Sequence, residues 1–343
     1  MASVRAIESL LRSDQLVIAD VGAAYGLPEY LRVLERWATV CLFEPNRERA
    51  QELRTFHQAE EGRKNVHVFE TALSGTGGPK TLYETHVPTG SSLLKPGSNA
   101  LYEFGDPEYF FPVRERSVVT RRLDQVLDEA GIGSVDFIKL DVQGAEVAVL
   151  QGLGDRLGRS MLGIELEVGL PGGYLGQPSI GTVDSFLREQ GFILFDIRPV
   201  RLHRAERGDR THYPRTVFQV HESSDSLSKR IWEADAVYFR DPQALLTERD
   251  EAALRRLTVL YCAYGFFVEA YALMRRAAAE ECLTDAAAAH LQAAIVEWHR
   301  DACYCFTESP TWWRFKQFLR YWERRLLRAV CGRRSSTWLF NES

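Results

Sequence analysis

Residues 135–152 read Val-Asp-Phe-Ile-Lys-Leu-Asp-Val-Gln-Gly-Ala-Glu-Val-Ala-Val-Leu-Gln-Gly, and they hold the groups best placed to do chemistry. An apolar strand presents a carboxylate, Asp141, at its end. Gly144 then turns the chain into a helix whose first turn brings a second carboxylate, Glu146. Residues 16–26 repeat the design: an apolar strand, Asp20, and a glycine turn. A positioned carboxylate can take a proton from a hydroxyl. Two such strand ends side by side make a polar crevice at the edge of a parallel sheet, where open α/β sheets bind their ligands.

The earlier turn runs Asp20-Val21-Gly22-Ala23-Ala24-Tyr25-Gly26. Glycine lets backbone approach a ligand and turn sharply into a helix. A dinucleotide fingerprint needs G-x-G-x-x-G, with its third glycine for close helix packing. The spacing here is Gly22-x-x-x-Gly26, with an acid before the first glycine. That suits the turn binding the amino-acid end of S-adenosylmethionine better than a pyrophosphate cradle; a glycine turn with no ligand is the plain alternative. Phe43-Glu44-Pro45 ends the second strand. A carboxylate there can accept both ribose hydroxyls of an adenosine ligand, each charge-assisted bond contributing roughly 1.5–3 kcal/mol. Both S-adenosylmethionine and NAD present a ribose, and an exposed acid at a strand end is the bland reading.

In the third constellation, Asp141, Gln143, Gly144 and Glu146, packing does not require two acids. Leu140 and Val142 serve the core while Asp141 points the other way. Glu146 also favours its own helix N-terminus, which is the structural alternative for it.

The elements that must hold these groups alternate. A short amphipathic helix at 3–13 precedes strand 16–21. A helix from about Pro28 to Trp37 follows, then strand 39–43, a helix from about Asn46 to His57, and strand 66–70. Strands and helices at this pitch predict parallel pairing in a doubly wound, Rossmann-like α/β sheet. The alternation breaks at 74–116. Gly75, Gly77, Gly78 and Pro79 mark a turn, and Lys80 to Glu84 suits a hairpin arm. Residues 86–112 are rich in proline, glycine and aromatics such as Tyr102, Phe104, Tyr109, Phe110 and Phe111. They read as a lid or substrate wall, with a plain surface insertion as the alternative. Alternation resumes with strand 117–120, helix 124–130, strand 135–140, helix 144–151, strand 161–167 and helix 181–190. Strands 192–197, about 216–220 and 236–240 close the sheet. Asp241-Pro242 is a natural boundary, and residues 243–330 read as helices only. The expected division is a domain over 1–242 and an appended C-terminal helical domain over 243–343.

A chain of 343 residues makes one large domain or two ordinary ones. With 45% hydrophobic and 26% charged residues it can pack a core, which excludes wholesale disorder. A formal net charge of -5 argues against a dedicated nucleic-acid binder. The six cysteines form no C-x-x-C pair and avoid the acidic motifs, as thiols in a reducing cytoplasm would. The N-terminus lacks the basic start and apolar centre of a signal peptide, so a cytoplasmic location is expected. Leu257 to Met274 is apolar except for Thr258 and Glu269, about long enough to span a membrane. Glu269 at its centre would be costly there, so the segment reads as a buried or dimer-interface helix, with a membrane-associated helix as the alternative. The basic end (Arg320, Arg324, Arg325, Arg328, Arg333, Arg334) reads as a solvated face, or as a contact for an anionic glycan, lipid head group or membrane surface.

Together these residues resemble the FkbM-type methyltransferases, a family of S-adenosylmethionine-dependent O-methyltransferases with a class I sheet. The resemblance covers about residues 16–200. It rests on Asp20-Val21-Gly22-Ala23, Phe43-Glu44-Pro45, Thr71-Ala72-Leu73-Ser74 and Leu123-Asp124. Most specific are Val135-Asp136, the run Ile138 to Glu146, and Leu150-x-Gly152. Glu165-x-Glu167, Gly176-Gln177-Pro178 and Gly191-Phe192 also resemble that family. Ala24 stands where the family often has asparagine, and Gln143 where it often has glutamate. The second departure removes an acid from any three-carboxylate metal site; no metal ligand is assigned, and assistance by a divalent ion is left open.

The resemblance implies Asp20, Gly22, Ala23 and Gly26 around the methionine moiety, Glu44 and Pro45 at the ribose, and Ala72 and Leu73 near adenine. Ser91 and Ser92 would lie toward the substrate side, with Ser92 and Asp141 also counted among the cofactor-binding residues. Asp141 and Glu146 would face the reacting methyl, with Asp141, Glu146 and Glu165 as proton acceptors and His86 as a lid-borne outsider. The implied activity is methyl transfer to a hydroxyl of a sugar, glycan or glycosylated product, with a polyketide or other small natural product as the alternative. The missing G-x-G-x-x-G weighs against a nicotinamide oxidoreductase. A glycan-binding or scaffolding protein that kept the fold without catalysis is the non-enzyme rival.

Overall fold

The computed structural model describes residues 2–11, 15–59, 65–97, 111–170, 172–202 and 230–306. The strand expected near 216–220, the aromatic stretch Tyr102–Phe110 and the basic end beyond Arg320 lie outside them.

The strands form where apolar residues run without interruption. β1 (Leu16–Val21) and β2 (Ala38–Phe43) are buried along nearly their whole length, as strands covered on both faces must be. With β3 (Val66–Phe69), β7 (Phe137–Leu140), β8 (Gly163–Gly169), β9 (Phe192–Leu202) and β10 (Arg230–Arg240) they build a sheet in the order β3-β2-β1-β7-β8-β10-β9 among the described residues. The first five strands pair in parallel. β10 enters antiparallel between β8 and β9. The fold is thus α/β with a mostly parallel central sheet and C-terminal helices. Strand order reverses between β1 and β7, and that switch point opens a crevice at their C-terminal ends.

β4 (Ala72–Leu73), β5 (Gly78–Thr85) and β6 (Pro112–Arg121) make a second sheet in the order β4-β6-β5. β5 and β6 are the antiparallel arm expected at 80–84, extended well beyond it.

Each face of the main sheet has its own apolar layer. On one, Ala19, Val21, Ile138, Leu140, Ile164 and Leu166 pack with Leu123, Val126, Val149, Leu150, Val183 and Leu187 of the intervening helices. On the other, Leu16, Ile18, Val40, Leu42, Phe137 and Phe239 join Ile7 and Leu10 of the first helix. Leu254, Leu257, Leu273, Met274, Leu291 and Trp298 of the C-terminal helices belong to that same cluster. The helices after Asp241 therefore bury a face of the sheet.

Two expected helices are broken. Pro28 to Trp37 is a four-residue helix, Glu29–Arg32, with Pro28 at its N-cap, followed by a tight turn at Glu35–Trp37. The apolar run 257–274 belongs to two helices, Glu251–Ala263 and Phe267–Ala279. The chain reverses between them at Tyr264-Gly265-Phe266, where Gly265 takes a left-handed φ of 84°. No helix among the described residues is long and apolar enough to cross a membrane.

Candidate active site

The switch point is built from three strand tips. Gly22 and Ala23 each donate a backbone hydrogen bond to Phe43 O (3.0 and 3.2 Å), and Asp141 N donates to Val21 O (3.0 Å). Gly22 has φ 85°, and a Cβ on it would stand 2.0 Å from Asp141 O. Only glycine lets the β1 turn lie against the β7 tip. Glu44 leaves the end of β2, its Oε1 accepting from Asn46 N at 2.7 Å. The tips carrying Asp20, Glu44 and Asp141 are thus neighbours, in the order β2-β1-β7.

A cleft of ≈ 920 Å³ opens over these tips. Its floor includes Gly22, Glu44, Pro45, Ala72, Leu73 and Asp141. Ser91 and Ser92 lie on the side of the β5–β6 arm, with Glu84, Thr85, Thr89, Arg114 and Arg116. Glu84 is held between two arginines, by Arg114 Nε at 2.6 Å and Arg116 Nε at 2.9 Å. Tyr25, 75% exposed, borders the cleft below the Arg49 guanidinium.

Burial and crowding of like charge set the electrostatics. Asp20 is 1% exposed and its Oδ1 has no hydrogen-bond partner among the described residues. Burial pushes its carboxyl up to about 7; Lys139 opposes this, while Asp141, Glu165 and Glu44 add to it. Burial also raises Glu44 above the usual carboxylate range, against the Asn46 N–H and Arg49. Glu233 rises to about 7 through burial, then through Asp141 and Asp235. Glu167 rises well above its ordinary value for the same kinds of reason, burial first and Asp141 next.

Of the three acids expected to face the reacting centre, only Asp141 lines the cleft. Glu146 turns inward: its Oε1 accepts from Val142 N (3.1 Å) and Gly144 N (3.0 Å), closing the turn before its own helix. Glu165 lies deeper. The register sets Asp20, Lys139 and Glu165 in one row across β1, β7 and β8. Glu165 accepts from Tyr30 OH (2.6 and 2.9 Å) and from Tyr264 OH, beneath the C-terminal helices. Ala23 is buried in the core, and Gly26 packs toward Leu53 of the helix after β2. His86 is exposed and does not border the cleft.

At the Asp141 end the cleft is also bordered by two acids not singled out for it, Glu167 and Glu233. Glu165 and Glu167 share a face by strand alternation, so sequence spacing alone does not say which reaches the tip. The signal was the pairing Leu140↔Leu166, which sets Asp141 and Glu167 side by side one residue further on. Glu233 comes from β10, whose antiparallel course brings its early residues to the same edge, opposite Gly169.

An open α/β sheet that gathers carboxylates around a glycine turn at its switch point defines a nucleoside-cofactor-binding class of fold. Sequence comparison narrows it. Residues 20–194, just over half of the chain, match the methyltransferase FkbM domain, and the chain belongs to that family. Methyltransferases in general take their methyl group from S-adenosylmethionine. The chain is similar to the 2-O-methyltransferase NoeI of Sinorhizobium fredii, 31% identical, with the match spanning 43% of this chain and 61% of NoeI. It is also similar to methyltransferase sdnD of Sordaria araneosa, 26% identical over 51% of this chain and 73% of sdnD. Among solved structures, the precorrin-6y C5,15-methyltransferase of Geobacter metallireducens aligns over 70% of this chain and 87% of its own, at 12% identity and a TM-score of 0.31.

Proposed function

We propose that this chain transfers a methyl group from S-adenosylmethionine to a hydroxyl of a sugar, in a glycan or a glycosylated product. The observation that carries the reading is the meeting of the Asp20, Glu44 and Asp141 strand tips around Gly22, in a chain of the FkbM family.

The residues present fit such a donor. Asp20 does not line the cleft; its buried carboxyl, with one oxygen lacking a hydrogen-bond partner among the described residues, adds acidic character beneath the floor on which an ammonium group would rest. Glu44, at the end of β2, suits a pair of ribose hydroxyls. Ala72 and Leu73 offer an apolar wall to a purine. The acids of the floor favour a cation and would repel the pyrophosphate of a dinucleotide. When bound, S-adenosylmethionine supplies a methyl group on a positively charged sulfur, already activated toward attack.

What remains for the protein is mainly alignment of the acceptor hydroxyl, which can provide effective molarities of about 10⁵–10⁸ M. Thr89 and Ser91, with Glu84, Arg114 and Arg116, present hydrogen-bonding groups on the acceptor side, as a polyhydroxylated ligand requires, whereas the Ser92 and Thr85 hydroxyls are already given to Gln143 O and Val87 O. Asp141 is the acid from the β7 motif that can hold the hydroxyl proton there. The name of NoeI, a 2-O-methyltransferase, supports a hydroxyl acceptor. A polyketide or other small natural product is the second reading, favoured by Leu82, Val87, Leu93 and Val113 along the same cleft.

Titration calorimetry with S-adenosylmethionine on the folded chain tests the donor; absence of heat under those conditions ends the proposal. A panel of glycosides and polyketide alcohols, followed by mass spectrometry for a methyl gain, separates the two acceptor classes.

A further inference from the structure

Gln143 has a conformation and a set of partners that the proposed transfer does not use. It is 5% exposed and left-handed at φ 56°, a backbone region rare for a residue with a side chain. Its main-chain oxygen accepts from Ser92 Oγ at 2.7 Å, which ties it to the arm side of the cleft. Its side chain is thereby set between the tips of β7 and β8. Nε2 donates to Asp141 Oδ1 at 2.9 Å and reaches Glu167 Oε1 and Oε2 at 3.2 and 3.3 Å.

The two carboxylates fix the amide's orientation, because Tyr174 suits either one: its hydroxyl, 2.7 Å from both, can donate to Gln143 Oε1, or donate to Gly90 O while accepting from the amide nitrogen. With Oε1 toward Tyr174, the amide nitrogen faces the two carboxylates. The reversed amide would put its oxygen against both acids, a contact that only a cation among the three or a proton on one carboxyl would relieve. Two carboxylates and an amide oxygen are the hard donors that Mg²⁺ or Mn²⁺ takes. With nitrogen there instead, the residues do not fit a metal ion.

We propose that Gln143 is a positioning residue whose amide group bridges Asp141 and Glu167 in the place a divalent cation would otherwise take, so that the acceptor-side carboxylate pair is ordered without metal. The proposal rests on the reading of this cleft as the methyl-transfer site. It makes Glu167, rather than Glu165, the partner of Asp141.

Manganese binding decides it, measured by water-proton relaxation on the whole chain, with S-adenosylmethionine affinity measured in parallel. Wild type is expected to bind no stoichiometric Mn²⁺. Q143E, which replaces the donor with a third carboxylate, is expected to gain a site at least about tenfold tighter than any wild-type binding, lost again in the Q143E/D141N double variant. Stoichiometric Mn²⁺ binding by wild type that E167Q or D141N removes would overturn the proposal; this arm needs no altered Gln143. A Q143E chain that stays folded by circular dichroism yet gains no site would also overturn it. If wild type binds S-adenosylmethionine and Mn²⁺ together, the methyltransferase reading survives and the amide bridge does not. If it binds neither, the bridge stands and the donor assignment falls.

Discussion

The carbonyl oxygen of Asp141 stands 2.0 Å from the point where a Cβ on Gly22 would be built. The two tips are therefore in backbone contact. Gly22→Ala has to part them, and it also places a side chain at φ 85°. The expected cost is at least about 2–4 kcal/mol, from overpacking and left-handed strain together. Thermal melting reads the stability loss, and calorimetry should find S-adenosylmethionine affinity gone in any fraction that stays folded.

Glu44 and Asp141 border the same cleft but are assigned to different parts of the ligand pair. Glu44→Ala removes charge-assisted hydrogen bonds of roughly 1.5–3 kcal/mol, so the donor Kd should weaken by about tenfold to a hundredfold. Asp141→Asn should leave that Kd within about tenfold and lower kcat by about 10²–10⁴ once an acceptor is in hand. Equal losses in both quantities for both variants would remove the division of roles.

Glu146 offers a pH test that needs no ligand. Burial raises its carboxyl from 4.5 to about 7, against the backbone N–H bonds it accepts. A raised carboxyl keeps its proton in the folded state where the unfolded chain has released it. Stability therefore falls as pH rises between about 4.5 and 7, by on the order of 1 kcal/mol per pH unit for one such group. Glu146→Gln keeps an acceptor oxygen for Val142 N and Gly144 N and has no charge to bury. Its melting temperature relative to wild type should climb from pH 5 to pH 8. A difference that stays flat across that range would refute the assignment.

Tyr264 ties the C-terminal helices to the sheet through its bond to Glu165. Tyr30 holds the same carboxylate, so Tyr264→Phe leaves Glu165 with one donor. The expected destabilisation is about 1–3 kcal/mol, the cost of taking one hydrogen-bond partner from a buried acceptor. Urea unfolding followed by tryptophan fluorescence would show it as a lower midpoint at unchanged slope.

Much of this molecule was legible in its residues. Apolar runs ending in an acid marked β1, β2 and β7 with their tips, followed by a glycine turn after β1 and β7 and by Pro45 after β2, because a strand buried on both faces admits polar groups only where it emerges. The spacing Gly22-x-x-x-Gly26 and the run Ile138 to Glu146 carried the family, which the match over residues 20–194 bears out. Position along a strand was a different matter. Glu165 and Glu167 have the same face and the same chemistry, and only the Leu140↔Leu166 register puts one beneath the helices and the other beside Asp141. Glu233 joins the site from a strand distant in the chain, and Gln143, though it stands beside Asp141 in the sequence, reaches Glu167 only through the β7–β8 pairing. Residue type and short-range spacing thus determined which groups emerge from the sheet and what each could do. Strand pairing and the covering helices decided which of them meet, because a shift of one pleat moves a carboxylate from a cleft into a core.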